Sequence, residues 1–125
     1  MEPHEAVARI RDGERIFLHG SAATPHALIN ALLDRAGSVH GIELVSISTL
    51  GDIAFDRPGV RESFFVNSLF VSANVREVVN GPGGEYVPVF LSEVPLLFER
   101  GILPIDTALV HVSTPDRHGF CTLGV

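Results

Sequence analysis

The strongest constraint on this chain is a recurring order of local patterns: a short apolar run, then Gly, Ser, Thr or Asn, then a stretch with helical spacing. Arg15 to His19 reads as a strand, and Ala27, Leu28, Ala31 and Leu32 follow as an apolar helical stripe. Ile42 to Ile47, Ser68 to Ser72, Val87 to Phe90 and Thr107 to Val112 read as further strands. Strand and helix alternate about four times, which points to an α/β fold with an open, mainly parallel sheet flanked by helices.

The punctuation between these runs is consistent with that reading. Glu2 to Arg11 is expected to be a helix with Val7 and Ile10 on one face and Gly13 beyond its end. Thr24 is expected to cap the next helix, with Pro25 at its first position. Asp52 to Ser63 is loop-like, broken by Pro58 and Gly59. Asn74 is expected to cap a helix, with Glu77 completing a capping box, and the Asn80-Gly81-Pro82-Gly83-Gly84 turn ends it. Pro88 suits an edge strand. Ser92 is expected to cap a helix that buries Val94, Leu97 and Phe98 and stops at Gly101. Phe120 to Val125 looks like the start of another extended segment.

Small or polar residues follow the strands at Gly20-Ser21, Ser48-Thr49, Ser72 to Asn74, Ser92-Glu93 and Ser113-Thr114. In an open parallel sheet these loops share the carboxyl edge of the strands, where ligands bind. The competing explanation is helix capping, which favours the same residue types.

At 125 residues the chain suits one domain, 1–125. It has 46% hydrophobic and 19% charged residues, a globular composition. The net charge of −6 speaks against a nucleic acid partner. All nine basic residues are Arg, which removes lysine nucleophiles and Schiff-base chemistry. Cys121 is the only cysteine, so neither an internal disulfide nor a thiolate metal cluster can form. The acidic start, Met1-Glu2-Pro3-His4-Glu5, is unlike a secretory signal, and no apolar run approaches the roughly 20 residues of a membrane span. A cytoplasmic protein without membrane contact is the expectation. The chain ends in an apolar stretch with no polar tail, so it is expected to be part of a longer protein or covered by a partner.

Candidate chemistry is sparse. The Gly20-Ser21-Ala22-Ala23-Thr24-Pro25 loop allows close backbone approach to an anion, but it is neither a Walker A loop nor a Gly-x-Gly-x-x-Gly fingerprint; a tight turn is the equal alternative. His19, at a strand end, is a candidate base, against the plainer reading of a half-buried strand histidine. Glu93 is a candidate nucleophile, although a helix start favours a carboxylate in any case. Asp116 and His118 allow a proton relay, or simply a turn. Cys121 reads as a small core residue. His4, His26, His40 and His111 lack partners at metal-ligand spacing, so no metal site is expected. No complete catalytic set emerges.

Three segments together resemble one family: LFVSANVREVVN over 69–80, YVPVFLSEVP over 86–95 and VHVSTPDRHGFCTLG over 110–124. The last, with the pattern SxPDxHGxCxLG, is the most specific, and the Gly20 to Pro25 loop fits as well. They are similar to the amino-terminal region of acetyl-CoA hydrolase/transferase proteins, which include acetate, succinate and 4-hydroxybutyrate CoA-transferases. The resemblance implies a NagB/RpiA/CoA-transferase-like half-domain, one of two α/β halves with an active site between them. It implies transfer of coenzyme A from an acyl-CoA to a small carboxylate. A glutamate attacks the thioester, giving an acyl anhydride and then a glutamyl-CoA thioester; with water as acceptor the outcome is hydrolysis.

The family's nucleophilic glutamate and main CoA-binding glycines lie in its carboxyl-terminal half, and no position here matches that glutamate motif, so no catalytic residue is assigned. By resemblance, Gly20, Ser21, Ala22, Ala23, Thr24, Ala73 and Asn74 face the acyl or carboxylate group. No cofactor is implied, with coenzyme A as a substrate. The expected partners are the carboxyl-terminal half, in the same or a separate chain, and further copies in a homo-oligomer. The alternative is a non-catalytic small-molecule or sugar-phosphate binding α/β module.

Overall fold

The computed structural model describes residues 1–123. Five strands form one sheet: β1 (Arg15–Leu18), β2 (Ile42–Ser46), β3 (Phe64–Ser68), β4 (Gly84–Tyr86) and β5 (Thr107–Leu109). Their order is β4-β3-β2-β1-β5, and every pairing is parallel. The chain steps outward from β1 to β4 and then returns to place β5 on the other side of β1. The succession therefore reverses between β1 and β5, which is where open α/β sheets form ligand crevices.

Alternation along the strands builds two layers. Ile16, Leu18, Ile42, Leu44, Phe64, Val66 and Leu109 enter the larger core, with Val7 and Ile10 from α1 (Pro3–Val7) and its exit, and Ile29, Leu32 and Leu33 from α2 (His26–Leu33). Each such fully buried aliphatic side chain contributes about 1.5–3 kcal/mol. Arg35 ties the helices together, its guanidinium donating to the Val7 and Ile10 carbonyls. On the opposite face Val45 and Leu69 meet Val94 of α5 (Val94–Glu99), and Phe17 packs edge-on against Phe98 with ring centroids 5.6 Å apart. Beside this smaller core runs a polar ladder. Arg15 Nε donates to Glu43 at 2.7 Å, and Asn67 Nδ2 donates to the other oxygen of Glu43 at 2.8 Å. The Asn67 side-chain oxygen is buried with no partner among the described residues.

The α/β class and the parallel sheet agree with the sequence reading; several element bounds do not. The third strand is Phe64–Ser68 and not Ser68 to Ser72: Ser68 Oγ turns onto the Phe70 carbonyl, so the chain leaves the sheet there. The fourth is Gly84–Tyr86 and not Val87 to Phe90, because Pro88 has no ladder donor and Gly84 alone fits. A Cβ on Gly84 would lie 2.7 Å from the Val66 carbonyl oxygen. The first helix stops at Val7, short of Arg11. The 52–63 loop holds a one-turn helix, α3 (Val60–Ser63), and α4 (Arg76–Val79) is equally short. The last strand ends at Leu109 rather than Val112. Residues 120–123 form no strand, and the rest of that expected segment, Gly124 and Val125, lies outside the described residues.

The expected caps are corrected too. Pro25 occupies the cap position of α2, and Thr24 turns its hydroxyl elsewhere. Asn74 lies inside a 3-10 turn, Ala73–Val75, and α4 has no side-chain cap. Ser92 likewise lies within the Leu91–Glu93 turn and caps nothing. Cys121 is exposed and not a core residue.

Candidate functional site

At the carboxyl edge of the sheet the loops after β1, β2 and β3 are pinned into one unit. The loop after β1 begins at Gly20, whose Cα faces the Ser48 backbone so closely that a Cβ would lie 2.5 Å from the Ser48 oxygen. Ser21 N–H donates to that same oxygen at 2.6 Å, and Ser21 bridges Thr49 in parallel. Ser21 adopts φ +53, a left-handed conformation that turns the chain sharply and leaves its side chain exposed.

Thr24 is 3% exposed and fixes two loops at once. Its hydroxyl donates to the Ser21 carbonyl at 2.7 Å and accepts the Leu50 N–H at 3.2 Å. His26 continues the fastening, with Nε2 2.7 Å from the Leu50 carbonyl oxygen. Only a donor satisfies that oxygen, so Nε2 carries the proton and Nδ1 is the acceptor in the neutral ring. Gly51, at φ +91, lies against the same ring, and a Cβ there would collide with it.

Asn74 joins the loop after β3. Its Oδ1 accepts from Thr49 Oγ1 at 3.2 Å and Ser72 Oγ at 2.8 Å, while Nδ2 donates to the Gly51 carbonyl at 3.1 Å. Thr49 is fully buried. The residues expected at the site thus come together around the β2 loop, though with different duties. Thr24 and Asn74 are fasteners, Gly20 is the close-approach point, and Ala23 is buried behind it. Ser21, Ala22 and Ala73 present the exposed surface, and the Ala22 N–H has no protein partner among the described residues.

Thr49, Leu50, Gly51 and His26 belong to the same unit. The sequence marked Ser48-Thr49 as a strand-end pair but gave no sign that His26 would grip the next residue.

The other candidates take no part in fastening these loops. His19 is half-buried at the end of β1, its Nδ1 3.4 Å from the His111 N–H. Asp116 Oδ1 accepts the His118 and Phe120 backbone N–H groups at 2.8 and 3.0 Å, which folds residues 113–122 into a turn. The His118 ring faces Arg117 Nε at 3.0 Å instead, so Asp116 and His118 form no relay. Glu93 is exposed in the turn before α5. No group of His, Cys, Asp and Glu among the described residues could hold a metal ion. No described helix is long and apolar enough to cross a membrane.

Two hollows flank the fastened loops. One, of about 410 Å³, lies between Thr24–Leu28 and Val110–Val112. The other, of about 360 Å³, is lined by Gly51–Ala54, Asp56, Ala73, Asn74, Glu77 and Val78. Both are shallow and open to solvent.

Comparison with known proteins agrees with this geometry. The family described as the acetyl-CoA hydrolase/transferase N-terminal domain matches residues 1–125. A succinyl-CoA:acetate/propanoyl-CoA:succinate CoA transferase of Fasciola hepatica is 40% identical over 122 residues, covering 96% of this chain and 25% of the relative. A 4-hydroxybutyrate coenzyme A transferase of Clostridium kluyveri is 36% identical, covering 97% of this chain and 28% of the relative. The chain therefore spans only about a quarter of the length of these relatives. Among solved structures, RipA from Yersinia pestis superposes over the whole chain with TM-score 0.88 at 31% identity, and the match covers 31% of RipA. A 4-hydroxybutyrate CoA-transferase from Porphyromonas gingivalis gives TM-score 0.75 at 25% identity, covering 27% of that chain. With its sheet, its strand-end loops and its full length all matched, the chain belongs to the acetyl-CoA hydrolase/transferase family and corresponds to its amino-terminal domain.

Proposed function

We propose that this chain forms one wall of a CoA-transferase active cleft, in which coenzyme A moves between an acyl-CoA and a free carboxylate. The observation that carries this reading is the fastening of three strand-end loops into a single rigid edge. Catalytic groups positioned to within fractions of an ångström need such support. Ser21, Ala22 and Ala73 form the surface presented to the acyl or carboxylate group, and the Ala22 N–H is a donor for an oxygen bearing negative charge.

The nucleophile is a glutamate contributed by polypeptide outside these 125 residues, and none of the carboxylates here substitutes for it. The glutamate attacks the thioester carbonyl, expelling CoA thiolate and forming an acyl anhydride. The thiolate attacks the glutamyl carbonyl of that anhydride, releasing the acyl group as a carboxylate and leaving glutamyl-CoA. An incoming carboxylate reverses both steps; water in its place gives hydrolysis. Coenzyme A is the substrate, and no other cofactor enters. A single, unpaired Cys121 and an acyl-CoA substrate fit a reducing cytoplasm. Exposed Phe90, Leu91, Phe120 and Leu123 are the surfaces for a carboxyl-terminal half or a second copy.

Calorimetry with acetyl-CoA, acetate and a sugar phosphate tests the wall, and a CoA-exchange assay tests the nucleophile. Binding of acetyl-CoA without exchange by the chain alone is expected. Turnover by these 125 residues refutes the external glutamate. Sugar-phosphate binding without acetyl-CoA binding refutes the cleft wall and favours a binding module.

A further inference from the structure

We propose that residues 113–122 are a rigid finger that inserts into the carboxyl-terminal half, with Phe120 as its anchor, and so holds that half against the cleft edge. This rests on the reading of the chain as one wall of a two-sided cleft.

The finger is built entirely from its own hydrogen bonds. Ser113 N–H donates to the Thr122 carbonyl at 3.0 Å, and Thr122 N–H donates to Ser113 Oγ at 3.0 Å, which closes the base. Asp116 N–H donates to the Phe120 carbonyl at 2.9 Å, and Gly119 N–H donates to the Asp116 carbonyl at 3.0 Å. Asp116 Oδ1 braces the tip through the His118 and Phe120 N–H groups. Gly119 makes the turn at φ +85, where a side chain would be strained.

Packing does not account for this order. Neither core contains a residue beyond Leu109, and every residue from 114 to 123 is exposed. Among the described residues, one hydrogen bond ties 110–123 to the rest of the domain: His111 N–H to His19 Nδ1, at 3.4 Å. Phe120 is 73% exposed. Fixing a backbone costs about 1–2 kcal/mol for each residue, and here no apolar burial offsets it. A braced loop that carries a bare aromatic ring is suited to docking, because little freedom is left to lose when the ring enters a socket.

The occupant is the carboxyl-terminal half rather than a second copy. The finger follows β5, and β5 pairs with β1, whose loop carries Ser21 and Ala22. It therefore stands on the edge that the external glutamate has to face. The chain spans only about a quarter of the length of its relatives, so most of the polypeptide able to cover the finger belongs to that half. A second copy brings the same net charge of −6 and, seated on this edge, would keep the other half out of the cleft. Arg117 adds chemistry to the match. Its Nε donates to His118 Nε2 at 3.0 Å, and its two Nη groups have no partner among the described residues. The socket is expected to be apolar around Phe120 and to carry carboxylate or carbonyl oxygens at its rim for Arg117.

A full-length chimera tests the insertion: residues 1–125 replace the matched region of the Clostridium kluyveri 4-hydroxybutyrate coenzyme A transferase. Cys121 is exposed, adjoins Phe120 and is the only cysteine of this chain, so its alkylation by iodoacetamide, read by peptide mass, reports on the finger. Alkylation is expected to be about tenfold slower, or more, in the chimera than in the free chain. Phe120→Ser lies outside both cores and is expected to leave the melting of the free chain unchanged. In the chimera it is expected to restore Cys121 reactivity and to lower CoA exchange by about thirtyfold. If the chimera does not fold, a graft of residues 113–122 alone into the same transferase gives the same comparison of Cys121 with the free chain. Cys121 as reactive in the folded chimera or graft as in the free chain overturns the insertion; CoA exchange by that chimera would leave the cleft wall standing. Slow alkylation without CoA exchange upholds the insertion and defeats the transferase reading. Protection of Cys121 that grows with the concentration of the free chain assigns the finger to a second copy and overturns the insertion too.

Discussion

Gly20→Ala is the most direct probe of how the loops are fastened. The new Cβ would stand 2.5 Å from the Ser48 oxygen, 3.3 Å from its carbon and 3.4 Å from its nitrogen. All three are backbone atoms, so no rotamer change relieves the overlap; β1 and β2 must part at their ends. Overpacking of this kind costs about 1–3 kcal/mol. Parting the strands also weakens the 2.6 Å bond from Ser21 N–H to Ser48, a further loss of about 0.5–1.5 kcal/mol. A total near 3 kcal/mol corresponds to a fall in Tm of roughly 11 °C for a domain of 125 residues. Urea denaturation gives the free energy from the midpoint shift at constant m, and a thermal melt gives Tm. Gly20→Ala within about 0.5 kcal/mol of the parent would refute the close approach, since that is the scale of a surface change away from any special contact.

Three further outcomes are expected. Thr24→Val removes the hydroxyl between Ser21 and Leu50 and is expected to cost about 1–2 kcal/mol in urea denaturation, with Thr24→Ser restoring most of it. Asn67→Asp takes away the donor to Glu43 and sets a second carboxylate beside it in a buried position, a loss of about 3 kcal/mol or more, whereas Asn67→Leu is expected to lose less. Asp116→Ala is expected to leave global stability within about 0.5 kcal/mol, because residues 114–123 are exposed, yet to speed amide hydrogen exchange at His118 and Phe120.

The class of fold and the gathering of the strand-end loops along one edge were legible in the chain because both depend on periodicity. Ile16, Leu18, Ile42 and Leu44 alternate toward the larger core, and small polar residues recur after strands. The bounds of β3 were not legible. Phe64 to Val71 is apolar throughout apart from Asn67 and Ser68, so only pairing with Ile42 to Ser46 decides which residues join the sheet. Thr24 and Asn74 satisfy every local rule for helix caps, but each has partners from a distant loop, at Leu50 and at Thr49 and Gly51, that outcompete the adjacent backbone. Cys121 sits in an apolar run that folds outward because Asp116 bends the chain back on itself. The grip of His26 on Leu50 joins residues 24 apart, and no spacing rule anticipates it.

Placing β5 beside β1 also sets a timetable for synthesis. Ile16 pairs with Thr107, and Arg15 N–H reaches Asp106 across 91 positions of sequence. Translation proceeds at about 5–20 residues per second, so a ribosome needs roughly 5–18 s to cover that interval. Throughout it, one side of β1 has no hydrogen-bonding neighbour while Ile16 and Phe17 wait beside it. A nascent chain of this design meets its greatest hazard of self-association before its last strand has been made.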